Sequence, residues 1–222
     1  TLPISQAETT RADFSLPENA FVLCCFNNSY KIGPREFDIW MRIMQDLDHS
    51  VLWLLKSNDH AFANLRKEAR ARGVDPDRLI AANKVAHPLH VARQKHADLF
   101  IDTFNYNAHT TASEALWAGL PIVTKCGDQF AARVAASMLT SIGMPELITT
   151  SEQDYEALIL DLATDRVRLR NVRDKLAANR LTQPFFNTET FTRDFENGLR
   201  QAYDLWVSGA PPRDIRCEPG TA

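Results

Sequence analysis

Glycine is scarce in this chain, and the glycine-rich motifs that cradle phosphates are missing. Only 8 of the 222 residues are glycine, and they form neither a Gly-x-Gly-x-x-Gly pattern nor a Gly-x-x-x-x-Gly-Lys pattern. This disfavours a nicotinamide-dependent dehydrogenase and a P-loop nucleotidase. The Gly-x-Ser-x-Gly motif that carries the nucleophilic serine of α/β-hydrolases is also absent, which disfavours a serine hydrolase of that type.

Cysteine is rare as well, and its spacing fits neither a metal site nor a redox motif. The chain has four cysteines, without a Cys-x-x-Cys pair, at positions 24, 25, 126 and 217. Asp75-Pro76-Asp77 resembles an acidic metal motif, but it precedes a predicted strand and so lies at the wrong end of a parallel sheet. We therefore predict buried free thiols, as in a reducing compartment, and no bound metal.

Long hydrophobic runs and an excess of positive charge are both absent. No apolar stretch approaches the ~20 residues of a membrane helix, and the start Thr1-Leu2-Pro3-Ile4 does not open a signal peptide. The formal net charge is -3, whereas nucleic-acid-binding proteins usually have an excess of positive charge. We expect a cytoplasmic protein that binds neither membranes nor nucleic acid.

Patterns of buried strands and amphipathic helices alternate along most of the chain. Apolar runs predict strands at residues 21–26, 51–55, 79–82, 99–102 and 122–124, and a sixth very short strand at 146–148. Apolar residues at helical spacing fill the segments between them, including one helix over 130–142. This alternation predicts an α/β fold with a doubly wound, Rossmann-like parallel sheet. We expect a linker at 1–15, the domain at 16–208 and a tail at 209–222.

The most informative stretch is the block Asn-Ala-His-Thr-Thr-Ala-Ser-Glu-Ala-Leu-Trp-Ala-Gly-Leu-Pro at residues 107–121. It lies between two predicted strands, so the polar start of its helix falls at the carboxyl end of a strand. The amides and positive dipole end of such a helix favour an anion. Thr110 and Thr111 could add hydroxyls, and Glu114 could reach a ribose diol. The alternative is a capping box, in which Thr111 and Glu114 only stabilise the helix.

Further reactive side chains follow other strands at the same predicted edge. Ligands of doubly wound sheets bind beyond the carboxyl ends of the strands, so the loops after residues 26, 82 and 102 should form one site. Each side chain alone could be merely solvated or structural, but their convergence favours a binding site. The candidates are Asn28, Tyr30, Lys31, His87, His90, Arg93, His109, Thr110, Thr111 and Glu114.

Several ordered blocks resemble the O-GlcNAc transferase/SPINDLY family of glycosyltransferases. They are Phe26-Asn27-Asn28-Ser29-Tyr30-Lys31-Ile32 and the segments at 107–121, 133–137 and 186–188. The resemblance covers roughly residues 16–208 and is to the carboxyl-terminal half of the catalytic region. It implies the nucleotide-sugar-binding lobe of a GT-B glycosyltransferase. The partners that it implies in the same polypeptide are an amino-terminal GT-B lobe and a tetratricopeptide (TPR) region, and nothing like either is present here.

The resemblance assigns one group of residues to the donor diphosphate. Lys31 falls where the family places a Lys on the diphosphate, which makes it the implied catalytic residue. Asn28 lies beside it, where relatives have the longer Gln. His109, Thr110 and Thr111 match the phosphate-binding start of a helix.

A second group is assigned to the nucleoside. Val85 and Ala86 fall where loop backbone groups contact the uracil, His90 matches a His that stacks on the base, and Arg93 lies near it. Glu114 takes the position of an acid that holds the ribose hydroxyls.

His87 stands where the family pattern has a Lys, and this departure leaves the choice between UDP and GDP less secure. The donor-binding set implied by the resemblance is thus Asn28, Lys31, Val85, Ala86, His87, His90, Arg93, His109, Thr110, Thr111 and Glu114.

The resemblance implies an inverting, metal-independent transfer of GlcNAc from UDP-GlcNAc to Ser or Thr hydroxyls of a protein or peptide acceptor. The general base is expected in the other lobe, so this segment alone should bind UDP-GlcNAc or UDP weakly and transfer no sugar. Three alternatives stay open: a GDP-fucose-using protein O-fucosyltransferase of the same family, another GT-B enzyme such as an epimerase or glycan synthase, and a non-catalytic nucleotide-sugar-binding module.

Overall fold

A computed structural model of the chain describes residues 3–217, in which six strands form one parallel sheet. The outermost residues of the predicted linker (1 and 2) and tail (218–222) lie outside the described residues. The strands are β1 (Phe21–Cys25), β2 (Ser50–Leu55), β3 (Leu79–Ala82), β4 (Leu99–Ile101), β5 (Ile122–Lys125) and β6 (Ile148–Thr149). The order β3-β2-β1-β4-β5-β6, with parallel pairing throughout, confirms the predicted doubly wound, Rossmann-like α/β fold.

Helices cover both faces of this sheet. Within the described residues they are α1 (Pro34–Asp46), α2 (Asp59–Ala71), α3 (His87–Arg93), α4 (Thr110–Ala118), α5 (Val134–Ser141), α6 (Glu152–Thr164), α7 (Arg166–Thr182) and α8 (Thr188–Val207). Right-handed crossovers place α1 and α2 on one face and α3, α4 and α5 on the other. Helix α6 packs against α1, and α4 packs against α3, α5 and α7.

The strands are continuous apolar runs because helices bury the sheet on both faces. In β1, the side chains of Cys24 and Cys25 point to opposite faces, and both are fully buried free thiols. Burial raises the pKa of both thiols. The prediction of buried thiols does not extend to the other two cysteines, because Cys126 is half-buried and Cys217 is exposed.

Two predicted elements differ from the structure. The helix predicted over 130–142 is instead a 3-10 turn, Phe130–Ala132, followed by α5. Two carbonyls of this turn are used outside a helix: the Ala131 carbonyl accepts from the N–H of the distant Asn107 (2.8 Å), and the Ala132 carbonyl accepts from the nearby Gly127 N–H (2.8 Å). The strand predicted at 146–148 is displaced, because Pro145–Leu147 forms a 3-10 turn and the pairing with β5 begins at Ile148.

Helix α8 is the longest helix in the described part of the chain, and none of its residues is buried. Its apolar side chains recur every four residues at Phe191, Phe195, Leu199 and Tyr203, and all four are more than half exposed. Between residues 3 and 217, no helix is both long enough and apolar enough to cross a membrane.

A buried hydroxyl joins helices α1 and α6 to the end of β4. Tyr155 on α6 is fully buried, and its OH donates a hydrogen bond to the carbonyl of Asp102 (2.9 Å). The same OH accepts a hydrogen bond from Nε1 of Trp40 on α1 (3.1 Å). The ring of Phe104 packs edge-on against Tyr155, with 5.0 Å between the ring centroids. Helices α1 and α6 therefore brace the loop that begins at Asp102.

Replacing Tyr155 by Phe should destabilise the fold without changing its shape. The substitution leaves the buried Trp40 N–H without an acceptor and the Asp102 carbonyl without a donor, which should lower the free energy of unfolding by about 1–3 kcal/mol. Urea unfolding measures this difference. Tyr203→Phe, which removes a hydroxyl from the exposed face of α8, is the matched control, and equal losses for the two variants would contradict the prediction.

Candidate functional site

Three loops meet at the carboxyl edge of the sheet, following β1, β3 and β4. Contacts between side chains join them directly. The Thr111 hydroxyl donates to Oδ1 of Asn27 (2.6 Å), and Nζ of Lys31 donates to the carbonyl of Asn107 (3.0 Å). On the other side of α4, Glu114 contacts two histidines of α3. The edge therefore brings together the residues that the sequence predicts from separate segments.

A buried carboxylate that the sequence analysis did not select holds this edge together. Asp102 is 0% exposed, and its Oδ1 accepts hydrogen bonds from the backbone N–H groups of Thr103 (2.8 Å) and Ala108 (2.6 Å). Oδ1 also accepts from Nδ2 of Asn27 (3.1 Å), and Oδ2 accepts from the Thr124 hydroxyl (2.7 Å). Desolvation outweighs these donors, so burial raises the pKa of Asp102 to about 6.

Asn27 carries this network to the start of α4. Its Nδ2 donates hydrogen bonds to Asp102 and to the Thr103 hydroxyl (2.8 Å). Its Oδ1 therefore faces Thr111 and accepts a hydrogen bond from the hydroxyl of that residue. The Thr111 hydroxyl therefore already donates its hydrogen bond within the protein. The backbone N–H of Thr111 is the donor that it can offer to an anion. The capping box does not form, because His109 precedes the helix and neither Thr111 nor Glu114 caps it.

The start of α4 opens toward the same edge. The first N–H groups of a helix have no partner within the helix, and the dipole adds partial positive charge there. Thr110 is the first helical residue and its side chain is exposed. Nε2 of His109 donates to the carbonyl of Ala131 (3.2 Å), and its ring centroid lies 4.7 Å from that of Tyr106. His109 thus ties the helix start to the segment that follows β5.

Lys31 brings a cation to this edge of the sheet. It ends a 3-10 turn after β1, and its Nζ lies 3.7 Å from the centroid of the Tyr106 ring as well as on the Asn107 carbonyl. Both partners are uncharged, so neither neutralises the ammonium. Partial burial lowers the pKa of Lys31. Asn28, at the start of the turn, is exposed, and its carbonyl accepts from the Lys31 N–H (2.9 Å).

On the other side of α4, a carboxylate and two imidazoles form a second cluster. Glu114 is 5% exposed; its Oε1 lies 2.7 Å from Nε2 of His87, and its Oε2 lies 3.5 Å from Nε2 of His90. Nη2 of Arg93 donates to Nδ1 of His90 (2.7 Å), which leaves the imidazole proton on Nε2, facing Glu114. Burial, together with the charges of Arg93 and His87, lowers the pKa of His90 to about 4. His90 is therefore a neutral ring at neutral pH.

Arg93 lies behind His90 and not on the open edge. It is 1% exposed, and its guanidinium lies over the rings of Phe26 (5.3 Å) and Trp53 (5.4 Å). Its Nη1 donates to the carbonyl of Asn83 (2.7 Å), and burial lowers its pKa to about 10. Arg93 thus holds His90 and the loop after β3 from within the protein.

The loop after β3 leads into α3 through Val85 and Ala86. Val85 is half-buried and Ala86 is exposed, with an extended backbone. The Ala86 carbonyl accepts the first helical hydrogen bond, from the His90 N–H (2.9 Å). This bond joins the backbone of the loop to the backbone of His90.

The acidic pair before β3 has a structural explanation. Oδ1 of Asp75 accepts from the Asp77 N–H (2.9 Å) and so caps a 3-10 turn, while Asp77 forms an ion pair with Arg66. No group of three or more His, Cys, Asp or Glu side chains in the described part of the chain is arranged to hold a metal ion.

A cation and a helix start at the carboxyl edge of a doubly wound sheet are groups with which α/β domains commonly bind anionic ligands. The chain belongs to glycosyl transferase family 41, whose family model matches residues 1–195. It is 37% identical over 210 residues to a UDP-N-acetylglucosamine–peptide N-acetylglucosaminyltransferase of Caenorhabditis elegans, covering 95% of this chain and 18% of that protein.

A plant relative and a solved bacterial structure agree with this assignment. The probable UDP-N-acetylglucosamine–peptide N-acetylglucosaminyltransferase SEC of Arabidopsis thaliana is 33% identical over 207 residues, which are 93% of this chain and 21% of that protein. A mutant O-GlcNAc transferase of Thermobaculum terrenum superposes with a TM-score of 0.80 and 27% identity, over 87% of this chain and 40% of that one. The chain spans about a fifth of the length of these curated relatives.

The buried charge of Asp102 gives a pH-dependent prediction. An unfolded Asp has a pKa of about 3.9, and the folded value is raised, so the folded state binds the proton more tightly and loses stability as the pH rises through 6. Asp102→Asn keeps an acceptor for the backbone N–H groups but carries no charge. The free energy of unfolding of the wild type, minus that of Asp102→Asn, should therefore fall by about 2–3 kcal/mol between pH 4 and pH 7.5.

Urea unfolding at the two pH values measures this difference. Asp174→Asn removes a carboxylate from an exposed position and is the matched control. A difference between wild type and Asp102→Asn that stays constant, or that grows with pH, would contradict the assigned cost of burying the Asp102 charge.

Proposed function

We propose that this chain is the donor-binding lobe of an inverting glycosyltransferase that moves GlcNAc from UDP-GlcNAc to Ser or Thr hydroxyls of proteins. The observation that carries the proposal is the spatial order of the polar groups along one edge of the sheet. A cation and a helix start lie at one end, and a buried carboxylate with a neutral imidazole lies at the other. The first pair suits a diphosphate and the second suits a nucleoside. The activity named for the relative of Caenorhabditis elegans supports the choice of donor.

At the diphosphate end, Lys31 and the first amides of α4 would stabilise the leaving group. The bond between the anomeric carbon and the diphosphate breaks as the acceptor oxygen attacks, and negative charge accumulates on the departing UDP. Donors that are already in place when this charge develops need no reorganisation, and losing one typically lowers the rate by about 100-fold or more. Asp102 fixes the loop that positions these donors. In this proposal, the side chain and the amides stabilise the charge without a metal ion.

At the nucleoside end, Glu114 would accept hydrogen bonds from the ribose diol. An ionised carboxylate has about four acceptor sites, and His87 and His90 approach one oxygen each, so acceptor capacity remains for the two hydroxyls. The neutral ring of His90 would stack on the uracil, with the backbone of Val85 and Ala86 beside it. Asn28, exposed next to Lys31, would contact the donor from the loop after β1.

The acceptor protein and the general base belong, in this proposal, to parts of a longer polypeptide. The chain spans about a fifth of the length of its curated relatives, which leaves length for a second GT-B lobe and a TPR region. A cytoplasmic location is part of the same proposal and is supported by the free thiols of Cys24 and Cys25.

Removing the Lys31 ammonium should weaken binding of the diphosphate. A hydrogen bond to a charged group contributes about 1.5–3 kcal/mol, so Lys31→Ala should raise the Kd for UDP by about 10- to 100-fold. Isothermal titration calorimetry with UDP measures this change. Lys67→Ala removes the same charge from an exposed position on α2 and serves as the control. A Kd that is equal for wild type and Lys31→Ala would contradict the role of Lys31 in binding the diphosphate.

The start of α4 can be tested in the same way. The double variant Thr110→Val and Thr111→Val keeps the backbone amides but removes the exposed hydroxyl and the tie to Asn27, so it should raise the Kd for UDP by about 10- to 100-fold in calorimetry. Uridine lacks the diphosphate, and its affinity should change much less. Asp75→Ala, at the opposite edge of the sheet, should leave UDP binding intact. A Kd for UDP that is equal for wild type and the double variant would contradict an anion site at this helix start.

A further inference from the structure

The segment before the first strand lies against the helix that carries His87, His90 and Arg93. We call residues 5–14 the N-terminal strap. Its first residue, Ser5, donates its backbone N–H to the carbonyl of Pro88 in the first turn of α3 (3.0 Å). Thr9 forms a hydrogen bond from Oγ1 to Nε2 of His96, just after the helix (2.8 Å). The strap therefore contacts both ends of α3.

Phe14, the last residue of the strap, reaches the guanidinium behind the site. Its ring centroid lies 5.5 Å from that of Trp53, 5.5 Å from that of His96 and 6.0 Å from Cζ of Arg93. With Phe26 and Trp53, it completes an aromatic cage around the guanidinium. Arg93 in turn donates to Nδ1 of His90. A continuous line of contacts thus runs from Phe14 through Arg93 to the imidazole.

The second half of the strap is itself fixed by hydrogen bonds. The Oδ2 atom of Asp13 accepts from the N–H (2.7 Å) and the hydroxyl (2.9 Å) of Thr10, which closes the turn before Phe14. Arg11 donates to the carbonyl of Ala20 (2.7 Å) and to Oδ2 of Asp98 at the start of β4 (2.8 Å). These contacts give the strap a defined position relative to the sheet, so it can hold α3 in place.

We propose that the N-terminal strap, acting through Phe14, is a positioning element of the nucleoside site. Phe14 does not touch the donor; it fixes Arg93 and, through Arg93, the imidazole that meets the base. This inference rests on the proposed function, because the contact of His90 with the base is part of that proposal. The diphosphate end depends on a different network, centred on Asp102, so the strap governs which base is accepted.

The space around Phe14 indicates what its loss would do. The ring lines a cavity of about 450 Å³ together with Trp53, Val85, Leu89 and Arg93. Removing the ring enlarges this cavity beneath the guanidinium, which gains room to shift. Because Arg93 sets the position of His90, the imidazole would then meet the base over a wider range of positions. Discrimination between bases should therefore fall more than the affinity for the diphosphate.

The test compares UDP and GDP binding to the 222-residue chain and its variants by calorimetry. Phe14→Ala should raise the Kd for UDP by about tenfold and change the Kd for GDP much less. The Kd for GDP divided by the Kd for UDP should therefore fall. Phe14→Leu keeps most of the apolar volume and should restore most of the wild-type ratio. Phe62→Ala is the matched control, since it truncates a half-buried ring on α2, on the other face of the sheet.

The outcomes separate this inference from the proposed function. Absence of UDP binding by the wild type would refute the proposed function. If the wild type binds UDP and Phe14→Ala keeps the wild-type GDP-to-UDP ratio, as Phe62→Ala should, the strap is only a structural element and the inference fails. Should Phe14→Ala not fold, Thr9→Val removes only the hydroxyl that contacts His96. For Thr9→Val, a fall of the GDP-to-UDP ratio smaller than the one expected for Phe14→Ala supports the inference. An unchanged ratio overturns it.

Discussion

The buried carboxylate of Asp102 is the constraint on which the candidate site depends. Its two oxygens collect donors from the end of β1, from both ends of the loop after β4, and from β5. A charge in a fully buried position is tolerated only where it is hydrogen-bonded, so these four donors must converge there. These hydrogen bonds hold both ends of the loop between Thr103 and Ala108, whose Asn107 carbonyl accepts from Lys31 and which leads into the start of α4.

The site consists of two networks with different electrostatic character. Around Asp102, uncharged partners surround Lys31, so its positive charge and the amides of α4 remain available to an anion. Around Arg93, burial and the neighbouring guanidinium together keep the His90 ring neutral, and the hydrogen bond from Arg93 turns the imidazole proton toward Glu114. The first arrangement suits phosphate groups, and the second suits an uncharged base beside ribose hydroxyls. Helix α4 carries residues of both networks and so fixes the distance between them.

Sequence reasoning succeeded where a pattern is set by the sheet itself. The runs at β1 and β2 are apolar throughout because the strands are buried on both faces, and the convergence of the loops follows from parallel topology. It failed where partners come from far along the chain. A lone Asp after a strand has no signature, since its partners include Thr124. In the predicted helix over 130–142, the distant Asn107 N–H takes the Ala131 carbonyl. The capping box failed for the same reason, because Asn27 takes the Thr111 hydroxyl.

The central claim is that an activated sugar places its diphosphate between Lys31 and the start of α4. Titration of the ¹⁵N-labelled chain with UDP, followed by backbone amide chemical shifts, tests it most directly. We expect the largest changes on the amides of Thr110 and Thr111, with further changes near Lys31 and His90. Changes concentrated at the opposite edge of the sheet, around Asp75 and Asp98, would contradict it.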